Sequence, residues 1–471
     1  MIKFFILLAT MMAGVCFGDT HTAASSSQAD FDAAKAAATY GDTISIPANT
    51  SPEIWNARDT ITKGVFIIGP DSNSLTIETN VSGYLFVYKP DNTSIAQNIP
   101  FEISGFKFSM GSNSSFLYLK STSSIPCTKI IIKRNSILNT GHYTVDVLGN
   151  FGGTISDNII TSGSDTPLQL MGNDSASWTC LPMKFGWDSS MYIENNKFYY
   201  SYSGVQMASS EGAYPWVFRY NDVNYSANAP NSILDAHGNL GKGNVYAAKG
   251  FEAYGNKITE AYGATRASTF KMRGGSHLVF FNKSNSTYGD PSDPQFGMSI
   301  YEEVIDSVND TRGEYPTGTN QINGQPQHVS NNYSWCNYDG GGYRARYSLG
   351  PFCCSPTYSG CTDCGADSTV KNDREYFKYV SSFDGTTGVG AGTLANRPEM
   401  CDSGVGYFAT NLDVSDIDDY VGNNPATPIT GTLYVATAAN TWSTAFSPAA
   451  FPHDPLKNSS TKMNNRARLI R

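Results

Sequence analysis

The chain has 471 residues, a formal net charge of −9, and only 15% charged residues. So few cations on an acidic chain exclude the basic face that nucleic-acid binding requires. The abundance of Gly, Asn, Ser, Thr and Tyr predicts a turn-rich, all-β extracellular protein.

Met1 to Gly18, MIKFFILLATMMAGVCFG, has an early lysine, an apolar run and then small residues, the profile of a cleaved secretory signal. No later stretch reaches membrane-spanning length, so a secreted chain without a transmembrane segment is expected. Next comes QADFDAAKAAATYG, Gln28 to Gly41, an Ala-rich run that follows a cap of serines and ends at a glycine, which predicts a helix. The strand DTISIP follows at once. A helix laid there would cover the first rung of a stacked β-structure, whose edge would otherwise invite pairing.

From Phe101 onward a weak repeat sets in: apolar, two variable residues, Asn, one variable residue, apolar. It reads IKRNSI, ISDNII, IENNKF and FRYNDV, and more loosely AYGNKI and VFFNKS. Its asparagines are Asn135, Asn158, Asn196, Asn221, Asn256 and Asn282. A second short strand follows each of the first five: TVDVLGN, PLQLMGN, GVQMASS, ILDAHGN and FKMRGGS. Alternation sends Val145/Val147, Leu168/Leu170, Val205/Met207, Leu234/Ala236 and Phe270/Met272 to one side. Strands repeated at unequal intervals, with almost no helix between them, predict a parallel β-helix with loops of variable length. The asparagines would form a hydrogen-bonded ladder at one corner.

The opening segment QADFDAAKAAATYGDTISIPANT resembles that of right-handed parallel β-helix proteins of the pectate-lyase-like superfamily. The stretch VFRYNDV…ILDAHG…FEAYGNKI…FKMRGGSHLVFFN is similar to the central coils of secreted β-helix proteins from environmental bacteria. The closing GVGYFATN…FPHDPL resembles the end of the same set, with Phe451, Pro452, His453, Asp454, Pro455 and Leu456 in place of a Tyr-Pro-His-Pro-Leu-like sequence. The resemblance implies an all-β, right-handed parallel β-helix (a solenoid) over residues 19–335, with an N-terminal capping helix. Residues 336–471 would then be Cys-rich loops and an irregular C-terminal cap.

Stacked coils would place Asp146, Gln169, Gln206, Asp235 and Lys271 in one outward column, with His237 and Arg273 beside it. Asp235 and Lys271 would lie roughly 5 Å apart on neighbouring rungs, as would His237 and Arg273. On the residues alone this is a cross-strand salt-bridge patch on a solvated sheet, stabilising by about 0.2–1 kcal/mol per pair. Polysaccharide-lyase chemistry, implied by the resemblance, gives them other roles. Lys271 or His237 would take a proton beside a uronate carboxylate, Arg273 would clamp that carboxylate with its planar fork, and Asp235 would orient His237 or bind Ca2+. Arg219 and Glu252 would support substrate binding from flanking strands, and the aromatics Trp216 and Tyr220 would stack on sugar rings. Asp146 and Asp235 are separated by too many rungs, at roughly 14 Å, for a glycosidase acid pair. The partner expected is an extracellular, acidic polysaccharide; a non-catalytic glycan-binding or adhesive surface protein is the alternative.

Export also frames the cysteines. Cys127, Cys180, Cys336, Cys353, Cys354, Cys361, Cys364 and Cys401 form an even set that reads as disulfides with undetermined pairing. CCSPTYSGCTDC contains one Cys-x-x-Cys of the kind zinc sites use, but a second is missing. The basic tail KNSSTKMNNRARLIR predicts a poorly ordered end.

Overall fold

The computed structural model describes residues 18–162, 166–173, 177, 180–181, 183–201, 206–225, 232–238, 246–260, 269–284, 296–300, 329–338, 345–349 and 370–457. Residues 1–17 of the signal segment, Cys353, Cys354, Cys361, Cys364, Val205 and residues 458–471 of the basic tail lie outside them. Three long sheets dominate. Each turn of chain adds one strand to each, and all neighbours within them are parallel. Met191–Glu194, for example, belongs to the first sheet, Lys197–Tyr200 to the second, Gln206–Glu211 to the third, and Pro215–Arg219 returns to the first. Among the described residues the first sheet has 12 strands, the second 9 and the third 10. The expected parallel β-helix is the fold. Among the described residues no helix is long and apolar enough to cross a membrane.

The helix Gln28–Ala37 starts where Ser27 accepts a hydrogen bond from the Asp30 amide at 3.2 Å and has Lys35 in its last turn, both favourable to the helix dipole. Its buried face carries Phe31 and Ala34, and Phe31 stacks on Trp55 at 4.8 Å between ring centroids. The helix thus closes the first rungs with apolar surface of its own.

The asparagine corner lies between the first and second sheets. There the chain turns through a left-handed residue, Arg134, Asp157, Asn195, Tyr220, Gly255, Phe281 or Cys336, with φ between 48° and 66°, and then enters a ladder asparagine. That turn takes backbone groups out of the sheet pairing, and asparagine replaces the lost bonds because one planar amide both donates and accepts. The Asn158 Oδ1 accepts from the backbone N–H and the Nδ2 of Asn135 at 3.0 and 3.2 Å. Asn196, Asn221, Asn256 and Asn282 repeat the arrangement on the next rungs. Each Nδ2 also reaches a carbonyl of the preceding rung, as Asn221 reaches Ile193 at 2.9 Å. The ladder continues to Asn337, which accepts from the Asn282 N–H and Nδ2 at 3.2 and 2.9 Å. The sequence repeat misses Asn337 because Ser334 stands where the pattern has an apolar residue; its hydroxyl accepts from the Asn337 Nδ2 at 2.9 Å.

The lumen is filled as alternation predicts by Val145, Val147, Leu168, Leu170, Leu234, Ala236, Phe270 and Met272, none more than 1% exposed. One rung differs. Leu168 pairs with Ala208 and Leu170 with Ser210, so Ser209 occupies the outward column and Gln206 pairs with Ser232 at the strand start. Met207, Ala208 and Ser210 are all buried, so hydrophobicity there does not fix which alternate residue faces in.

The coils run past residue 335: Ala345–Leu349 joins the third sheet and Tyr376–Lys378 the first. Long intervals between these rungs hide the rhythm in the sequence. A separate four-stranded sheet then forms from Val389–Gly392, Gly406–Ala409, Thr432–Ala438 and Thr441–Phe446. It packs on the outer face of the first sheet, where Tyr192, Val217, Tyr220, Tyr254, Leu278 and Phe280 build a second hydrophobic core with Phe408, Leu433 and Phe446. Within this core, Tyr254, Phe280 and Trp335 stack rung upon rung at 4.5 and 4.3 Å.

Among the described cysteines, Cys127, Cys180, Cys336 and Cys401, no two are joined in a disulfide, and the other four expected partners lie outside the described residues. Cys127, Cys336 and Cys401 are buried and pack as small apolar residues, and burial pushes the Cys127 thiol up to about 12.

Candidate functional site

The outer face of the third sheet brings the four charged residues together. Strands Ser232–Ala236 and Phe270–Met272 are parallel neighbours, with Asp235 opposite Lys271 and Ala236 opposite Met272. Ala236 and Met272 point into the lumen, so Asp235 and Lys271 point away from it, one rung of about 4.8 Å apart. His237 and Arg273 follow just beyond the strand ends, where the Arg273 N–H donates to the Ala236 carbonyl at 2.9 Å.

Arg273 grips Asp235 with both arms of its fork. Nε donates to Oδ1 at 2.8 Å and Nη2 to Oδ2 at 2.7 Å. The same Nη2 stands 2.6 Å from each ring nitrogen of His237, and the His237 Nε2 is 3.5 Å from Asp235 Oδ2. Gln206, displaced from the column, still reaches the His237 Nε2 at 3.2 Å. Asp235 is 1% exposed, His237 6%, and Lys271 and Arg273 8% each. The solvated salt-bridge patch is therefore ruled out. The cluster is buried, where removing one partner of an ion pair is far more costly than at a surface. Burial alone would raise the Asp235 carboxyl. The His237 ring, the Arg273 guanidinium and the Lys271 ammonium outweigh it and hold the carboxyl below its usual range.

Both Asp235 oxygens accept from Arg273, and among the described residues no group of three His, Cys, Asp or Glu side chains could hold a metal ion. The donor set therefore does not fit Ca2+, and the residues offer the chemistry of a charge cluster.

The outward column reads Tyr118, Asp146, Gln169, Ser209, Asp235, Lys271 and Ser299. Asp146 and Asp235 stay three rungs apart, about 14 Å, as expected. Sequence reasoning missed Glu211. It lies one residue beyond Ser210, which pairs with Ala236, so its successors on the next rungs are His237 and Arg273. Glu211 is 2% exposed and accepts from the Gln169 Nε2 at 3.3 Å. The signal was present in ASSEG, where an acid follows two serines at the strand end.

Arg219, Glu252, Trp216 and Tyr220 lie on the first sheet, a different face of the solenoid. Trp216 and Tyr220 are each 1% exposed. Trp216 fills the lumen between Met191 and Phe251, whereas Tyr220 sits under the C-terminal sheet with its hydroxyl accepting from the Ile429 N–H at 2.8 Å. Neither ring presents a face to solvent. Arg219 is fully buried in a column with Glu194, Tyr254, Phe280 and Trp335. It donates to Glu194 at 2.7 Å, to the Tyr254 hydroxyl at 2.8 Å, and to the carbonyls of Ala449 and Ala450 at 2.7 Å each. Glu194 in turn accepts from the His453 N–H at 2.6 Å, and the His453 ring stacks on Tyr192 at 4.0 Å. This buried pair clasps the closing segment to the solenoid. Glu252 accepts from the Gly186 N–H at 2.6 Å through Oε1, while its buried Oε2 has no donor.

No protein-family model, no curated protein and no solved structure matches the chain.

Proposed function

We propose that this is a secreted β-helix protein of the pectate-lyase-like superfamily that acts on an extracellular acidic polysaccharide through lyase-type elimination on the third sheet. One observation carries the reading: four ionisable residues from two remote segments converge in a buried cluster on the outer face, where folding needs no charge. Buried charges held against one another concentrate at functional sites. In the elimination, Lys271 as the neutral amine, having first given up the proton of its ammonium, takes the proton from C5 of a uronate residue and returns to the ammonium, with the neutral His237 ring the second candidate. The C5–H electron pair becomes the C4–C5 double bond. The C4–O bond breaks, and its electrons leave on the glycosidic oxygen, which takes up a proton. Arg273, oriented by its two bonds to Asp235, neutralises the uronate carboxylate as charge moves onto it.

The bidentate Asp235–Arg273 pairing favours a second reading, non-catalytic glycan binding, because the guanidinium already has a carboxylate partner. The test is a panel of uronate polymers monitored for unsaturated, ultraviolet-absorbing product. Catalysis predicts product from the intact chain and none from Lys271→Gln. Binding without product from any polymer overturns the elimination and leaves the binding reading.

A further inference from the structure

The outer face of the third sheet holds a second polar group, toward the N-terminus from the charge cluster. Tyr118 and Asp146 are neighbours on successive rungs. The Tyr84 ring stacks on Tyr118 at 4.8 Å with 21° between planes, and its hydroxyl donates to Asp146 Oδ2. Lys120 places its ammonium 5.5 Å from the centre of the Tyr118 ring. Asp146 is 8% exposed, yet its Oδ1 is buried without a hydrogen-bond donor. Burial pushes this carboxyl up to about 6, against the opposing Tyr84 hydroxyl.

An orphaned acceptor costs about 1–3 kcal/mol, and alternation on this face required no acid at that position. The surroundings say what would satisfy it. A hydroxyl pair on adjacent sugar carbons matches the two carboxylate oxygens, with the Tyr84 hydroxyl holding the place of one. The half-buried tyrosine pair offers apolar carbon to the C–H surface of a pyranose. Lys120 supplies a cation within reach of a carboxylate on the same ring.

We infer that Tyr84, Tyr118, Lys120 and Asp146 form a binding subsite for a uronic-acid residue of the same glycan strand that the Asp235/Lys271 cluster engages. The inference rests on the acidic-polysaccharide reading above and extends it. The two sites share one column and stand three rungs apart, about 14 Å. Gln169 and Ser209 lie on the rungs between.

Titration calorimetry at pH 7.5 with 1,4-linked hexamers of galacturonate, mannuronate and guluronate tests the subsite. Asp146→Asn preserves shape, and Lys120→Ser changes a half-buried side chain outside the core. Each is expected to raise the Kd of the bound hexamer at least tenfold. An unchanged Kd in both variants overturns the subsite; if Lys271→Gln then still loses binding, the reading of the cluster stands. Failure of the intact chain to bind any hexamer overturns both.

Discussion

Replacing Glu252 by glutamine should remove a pH-dependent weakness from the join between the solenoid and its C-terminal segment. Glu252 lies between Val217 and Leu278 on the outward side of the first sheet and is 2% exposed. Burial raises its carboxyl from 4.5 to about 7, against the pull of the Gly186 N–H and the Arg219 guanidinium. Below pH 4.5 the group is protonated in both folded and unfolded chains and contributes no difference. From there upward the unfolded chain loses the proton first, so stability falls as pH rises and the full loss is reached above about pH 7. At about 1.4 kcal/mol per pH unit over that window, the loss is on the order of 3 kcal/mol. Glutamine is neutral throughout, retains an acceptor for Gly186, and fits the same space. Urea unfolding of Glu252→Gln and the parent chain should agree within about 1 kcal/mol at pH 5, and the variant should be more stable by about 2–3 kcal/mol at pH 8. An equal difference at the two pH values would refute the reasoning.

Two further perturbations address the scaffold. Asn221→Ala removes the acceptor for the Asn196 N–H and Nδ2 and the donor to the Ile193 carbonyl, all buried. It should cost about 2–4 kcal/mol in urea unfolding; a loss below about 0.5 kcal/mol would mean that the ladder is not needed to hold the corner. Arg219→Met leaves Glu194 as a buried charge without its partner and deprives the Ala449 and Ala450 carbonyls of their donors. It should cost about 3–5 kcal/mol and open the closing segment to limited proteolysis near Ala449; a parent-like cleavage pattern would contradict the clasp.

The parts of the fold legible in sequence are those written in one residue type. Asparagine recurs because the corner needs a donor and an acceptor on one side chain, so the ladder from Asn135 to Asn282 shows through unequal loops. The left-handed residue before each asparagine does not show: Arg134, Asp157, Tyr220 and Phe281 carry no glycine signature, and Gly255 alone among these corners has one. At Gly255 an added Cβ would lie 2.5 Å from the Tyr220 ring, so close packing demands glycine there as well as the turn. Alternation brought Asp235 and Lys271 to one face but gave no sign that the face is covered. Hence a buried cluster read equally well as a solvated patch. Arg219 suggested a supporting role in ligand binding because its strand flanks those of the charged cluster in the repeat. Its actual partners include carbonyls 230 and 231 residues away, a closure that local pattern does not encode. The rung of Gln206–Glu211 shifted because Met207, Ala208 and Ser210 are all small or apolar enough for the lumen.

The proximity of Asp235 and Arg273 underlies both the buried cluster and the chemistry proposed for it, and a double-mutant cycle in urea with Asp235→Asn, Arg273→Gln and the pair measures it directly. Contact through two hydrogen bonds out of water predicts a coupling energy above about 1.5 kcal/mol, with the double variant more stable than the summed single losses imply. Single losses that simply add, within about 0.3–0.5 kcal/mol, would place the two residues apart and contradict the stacking from which the site is built.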